Sequence, residues 1–132
     1  MSVEQALCDR VLSDTAITGM ISDRIYPMKL PQNSLFPAIR YQMISDVDDY
    51  DLDGKTGLVA KRYQFDMLAS TYKDAKTLYR YVKQVLMNFK GTADDKLIHD
   101  TKPQSGQDLY DDGDGLVKMY GVSMDVLVYH DE

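Results

Sequence analysis

Tryptophan is absent from this chain, cysteine occurs once, and only Glu4 and Glu132 are glutamates. The lone cysteine, Cys8, cannot close an internal disulfide, so the expectation is maturation in a reducing compartment. Cys8 falls near the apolar face of the first helix and reads as a small core residue, not a reactive thiol. No apolar run approaches the about 20 residues a membrane-spanning helix needs, so no membrane association is expected. The opening MSVEQALCDR lacks a positive segment followed by an apolar one, and no secretory signal is expected. His99 and His130 are the only histidines, and neither has a second His or Cys at ligand spacing. There is no glycine-rich phosphate loop, no serine in a nucleophile elbow and no triad arrangement. The sequence therefore names no catalytic residue, no metal ligand and no cofactor.

What remains is a chain of 132 residues, 44% of them hydrophobic, which suits one folded domain over residues 1–132. Its net charge of −6 argues against non-specific grip on nucleic acid. All acids except the two glutamates are aspartates, whose short side chains favour turns and caps.

The clearest stretch runs from Leu58 to Gly91. Tyr63, Phe65, Met67 and Ala69 alternate with Arg62, Gln64 and Asp66, the period of a half-buried strand. After Ser70 the period changes: Ala75, Leu78, Tyr79, Val82, Val85, Leu86 and Phe89 form one helical stripe. Thr71 is the expected N-cap, with Asp74 three residues on, and Gly91 the expected left-handed stop. Upstream, Val3, Ala6, Leu7 and Val11 predict a first helix, and Ser13 or Asp14 caps a second through Ile17 and Ile21. Arg24-Ile25-Tyr26 predicts a short strand stopped by Pro27. Ala38 to Ser45 alternates again and pairs antiparallel with Leu58–Ala69 through a long acidic loop containing Asp53-Gly54. Thr92 to Gln107 is polar and poorly patterned, with only a hint of strand at Leu97-Ile98, and the expectation is a long connection that is either functional or mobile. A short strand near Leu109-Tyr110 then forms a hairpin, through Asp114-Gly115, with a long last strand burying Val122, Met124, Val126 and Val128. The sum is an α+β domain: an antiparallel-rich sheet covered by one long helix, with short N-terminal helices.

Two charged features invite a reading as binding surfaces. The loop Asp49-x-Asp51-x-Asp53-Gly54 resembles the start of a calcium loop, but its twelfth position is Ala60 and its flanks read as strands, so it reads as a solvated hairpin tip. Asp46, Asp48, Asp49 and Asp51 nevertheless concentrate negative charge there. Lys73, Lys76, Arg80 and Lys83 form a basic stripe opposite the apolar stripe of the long helix. An ordinary solvated helix face explains that stripe. The other reading is that the basic face of one copy attracts the acidic loop of another copy or a partner. Ten tyrosines suit such surfaces, since each joins an apolar body to a polar tip.

The order of several short segments resembles the tail terminator (tail completion, head–tail joining) proteins of long-tailed bacteriophages. These segments are Asp23-Arg24-Ile25-Tyr26-Pro27, Pro37-Ala38-Ile39-Arg40-Tyr41-Gln42 and Arg62-Tyr63-Gln64-Phe65-Asp66. They continue with Ala69-Ser70-Thr71-Tyr72, Asp74-Ala75, Leu109-Tyr110-Asp111-Asp112 and Val126–His130. The resemblance implies a non-enzymatic virion protein, made in the host bacterial cytoplasm, at the head-proximal end of the tail. It implies a homo-oligomeric ring, usually a hexamer, that caps the tail tube protein and meets the head connector or stopper protein. DNA would pass through its channel without specific binding. The Thr92–Gln107 connection would be mobile in the free subunit and ordered on assembly. A connector or stopper protein, a cellular adaptor or small-ligand domain, and a hydrolase using scattered aspartates are the competing readings. A monomer with a formed apolar pocket would favour the adaptor, and a perturbed carboxylate cluster in a cleft the hydrolase.

Overall fold

The computed structural model describes residues 2–51, 54–93, 96–111 and 119–131, and side chains are described for fewer residues near those breaks. Three helices lie against one face of a six-stranded sheet. The elements in chain order are α1 (Val3–Leu12), α2 (Thr15–Ile21), β1 (Ile25–Pro27), β2 (Ala38–Asp51) and β3 (Gly54–Ala69). They are followed by α3 (Tyr72–Leu86), β4 (Gly91–Ala93), β5 (Lys96–Asp111) and β6 (Met119–Asp131). The strand order is β1-β2-β3-β6-β5-β4, antiparallel throughout except for the β1–β2 pair. This is the α+β, antiparallel-rich, helix-covered architecture expected from the sequence.

Local chemistry explains the helix starts. The Ser2 side chain accepts from the Gln5 amide at the head of α1, and Asp14 accepts from Ala16 and Ile17 at α2. Thr71 accepts from the Asp74 amide at α3. Each satisfies an amide that the first helical turn leaves without an acceptor. On β3, Tyr63, Phe65 and Met67 are fully buried and meet Ala75, Leu78, Val82 and Leu86 of α3. Val122, Met124, Val126 and Val128 of β6 share that core, as do Leu7, Val11, Ile17 and Ile21. Cys8 is buried beside them, and burial pushes its thiol up to about 11, so it is a packing residue.

Three expectations need correction. The segment Thr92–Gln107 is mostly strand and not an unpatterned connection: it contributes the end of β4 and most of the 16-residue β5. Its pattern is hidden because β5 is flanked by an edge and interrupted by register shifts between Ile98 and Asp100 and between Pro103 and Ser105. Beyond β4, its outer edge has no strand partner among the described residues, so polar residues and proline are tolerated there. Second, the acidic stretch after Ser45 is strand: β2 continues to Asp51 and pairs with β3 down to Asp51 opposite Gly54. Ladder bonds join backbones whatever the side chains, and Asp46 stands opposite Lys61, an attractive cross-strand pair. Third, α3 ends at Leu86, and Asn88, not Gly91, takes the left-handed conformation at φ 60°. Asparagine tolerates that region better than most residues, and the turn lets the Asn88 amide donate to the Thr101 carbonyl at 2.9 Å. The Asp114-Gly115 turn lies outside the described residues, although β5 and β6 do pair antiparallel.

The sheet face away from the helices is polar and tightly bonded. Arg40 donates twice to one oxygen of Asp66, at 2.9 and 2.7 Å, and Gln64 donates to the other at 3.0 Å. Asp66 is only 3% exposed. Arg62 reaches Gln104 at 2.8 Å across β6, with Asp125 at 3.7 Å.

Candidate assembly surfaces

The charged residues singled out from the sequence fall on two separate elements, strand β2 and helix α3. Asp46 is exposed on β2. The backbones of residues 48–51 continue that strand, while the side chains of Asp48, Asp49 and Asp51 lie outside the described residues. The basic stripe sits on α3, which packs over β3 and β6 and is also tied to β5. The tie is direct at several points. Tyr72 and Lys76 both donate to Asp108 of β5, at 2.9 and 2.5 Å. At the far end, Thr101 Oγ1 donates to the Phe89 carbonyl at 3.0 Å, beside the Asn88 bond. Gly106 lies under Tyr79, where a Cβ would come within 2.7 Å of the tyrosine hydroxyl.

This geometry divides the basic stripe. Lys76 is committed within the chain, to Asp108 and over the Tyr72 ring at 5.2 Å. Lys83 lies over the Tyr79 ring at 5.8 Å. Lys73 and Arg80 are exposed and form no ion pair among the described residues. They are the cations most available to a partner.

The Lys76 contact has a pH signature. Hydrogen bonds from Lys76 and Tyr72 hold the Asp108 carboxyl below its ordinary 3.8, and the same contact raises Lys76. A carboxylate depressed in the folded state contributes stability that is fully present above 3.8 and is lost as pH falls through its folded value. Acid titration followed by NMR at α3 and β5 should show this step, and Asp108→Asn should abolish it. A step that survives in Asp108→Asn would assign it to another group.

Sequence reasoning missed two further surfaces. Met43, Ile44 and Val47 are about half exposed along the outer edge of β2. The alternation of Ile39, Tyr41 and Met43 placed Met43 correctly on the helix-side face, but periodicity cannot reveal that this strand lies at an edge. Tyr110 packs on Tyr120 at 5.0 Å, and Tyr72 meets Tyr120 edge-on at 6.4 Å, with Tyr72 and Tyr110 about half exposed. These three come from distant parts of the chain, so no local signal could have joined them.

A helix-covered sheet whose chemistry lies in exposed strand edges, charge and aromatic patches is that of an assembly domain. A family model described as tail completion protein gp17 matches residues 5–131, and the chain belongs to that family. It is thus a structural protein of a phage tail. Among solved structures, a chain from the virion of a native gene transfer agent (GTA) particle has the same fold. That match has a TM-score of 0.78 and 10% identity, and covers 99% of this chain and 96% of the other. A comparison with curated proteins finds no match.

Proposed function

We propose that the chain acts as one unit that caps the completed tail tube as a ring of six and joins it to the head connector. The observation that supports this most directly is the tail completion family match over nearly the whole chain. Ring closure requires a heterologous contact, in which one surface meets a different surface of the next copy. Two separate surfaces support such a contact: Asp46 exposed on edge-side strand β2, and Lys73 and Arg80 exposed on α3. A two-fold dimer would set like charge against like, whereas a head-to-tail array sets acid against base. The net charge of −6 also suits a channel for DNA, since carboxylates repel phosphate at close range.

Native mass measurement, with and without purified tail tubes, tests the reading. The expected result is a closed multimer that binds tube ends. A monomer indifferent to tubes at every concentration would overturn it. Combined Lys73→Glu and Arg80→Glu should weaken assembly about tenfold or more at low salt and less at high salt, because exposed charges are screened over about 10 Å at 0.1 M. Adding Asp46→Lys to the same chain should recover part of the loss.

A further inference from the structure

The β1–β2 pairing ends abruptly. Ile39 donates to the Arg24 carbonyl and Met28 donates to the Tyr41 carbonyl at 2.8 Å, so residues 39 and 41 turn their backbone groups away from β3. At Met28, φ is 68° and the Lys29 amide closes onto the Pro27 carbonyl, which turns the chain off the sheet. Beyond Tyr41 no strand covers the outer edge of β2 among the described residues. By alternation the next outward-facing residue is Met43. The uncovered edge is also apolar, with Met43, Ile44 and Val47 about half exposed. An uncovered apolar strand edge is a template for another strand, and folded proteins ordinarily blunt such edges.

The opposite side of the same sheet is covered more fully. Both strands carry register shifts, β2 between Met43 and Ser45 and between Asp48 and Tyr50, but β5 also holds Pro103 and is partly covered by β4, by the Asn88 turn and by α3. From Lys102 onward no strand pairs with the outer edge of β5 among the described residues. Pairing carries the level across the sheet: Gln42 to Gln64 to Asp125 to Ser105, and Ser45 to Arg62 to Leu127 to Lys102. The open stretch of β2 therefore stands level with an open stretch of β5, and the two strands run in opposite directions.

We propose that β2 from Gln42 to Val47 in one copy docks as a strand against the β5 side of the next copy. The sheet then continues antiparallel from subunit to subunit around the ring. The occupant is a second copy of this chain because level, direction and charge match across that join: Asp46 follows Ser45, which stands level with Lys102 of β5, a lysine 55% exposed and only loosely held by Asp100 at 3.8 Å. This rests on the ring reading and adds its mode of contact.

Met43→Pro tests the join. The Met43 amide points away from β3, so proline there removes an edge donor and leaves the β2–β3 ladder in place. The variant should keep its circular dichroism spectrum while assembly weakens about tenfold or more, the loss of one or two interfacial hydrogen bonds. Amide hydrogen exchange of the wild-type chain gives a second reading, independent of any variant's folding: residues 42–47 should be slowed at least tenfold in the assembled form relative to dilute subunit. A folded Met43→Pro chain that assembles like wild type, or unchanged exchange at 42–47, overturns the strand join while leaving the ring intact. Protection that appears only on adding tail tubes overturns the second-copy assignment. Failure of the wild-type chain to self-associate would instead remove the ring reading beneath it.

Discussion

Phe65→Ala should destabilise the fold by about 3–5 kcal/mol, enough to unfold much of the population of an ordinary small domain. Phe65 is fully buried at the centre of β3 and stacks on Tyr41 of β2 with ring centroids 5.9 Å apart. It lies between the strand edge and the helix layer, so its removal leaves a hole that neither can fill without moving. Urea unfolding monitored by circular dichroism would measure the loss. A change below about 1 kcal/mol would mean that the site collapses readily and that the core is less tightly packed than its burial indicates. Phe65→Leu should recover over half of the loss, because it restores most of the volume.

Asp66→Ala should cost about 1.5–3 kcal/mol through a different cause. The carboxylate receives both Arg40 donors and the Gln64 amide, and removing it leaves all three without that acceptor. A fully enclosed pair would cost more to break. Here the Arg40 side chain keeps 33% exposure, and water can replace part of what is lost. Asp66→Asn should fall between the two, since it keeps an acceptor but loses the charge. Denaturant unfolding of both variants would measure the order, and equal losses for Asn and Ala would show that charge, not geometry, holds Arg40.

Much of the fold could be read from residue patterns alone. The change from period two to period three or four at Ser70 marked the β3–α3 junction, and Thr71 and Asp74 marked its cap. β6 was legible for the same reason: Val122, Met124, Val126 and Val128 face one way into a core and nothing interrupts them. β5 was not, because a strand with an open outer edge and two register shifts need not repeat every second residue. The acidic extension of β2 was misread because aspartate's preference for turns was weighed against a ladder whose partners lay further along in β3. Of the assembly surfaces, the charges were visible and their placement was not. Only the sheet order reveals that Asp46 lies on a strand near one edge, and only the contact with Asp108 removes Lys76 from the available cations.

Fastening α3 to β5 at both ends has a mechanical consequence. Tyr72 and Lys76 hold the start of the helix, and Asn88 with Phe89 hold its exit, all to one strand. Helix and strand are therefore coupled at both ends of the helix. Displacing either end of α3 also displaces the part of β5 bonded to it.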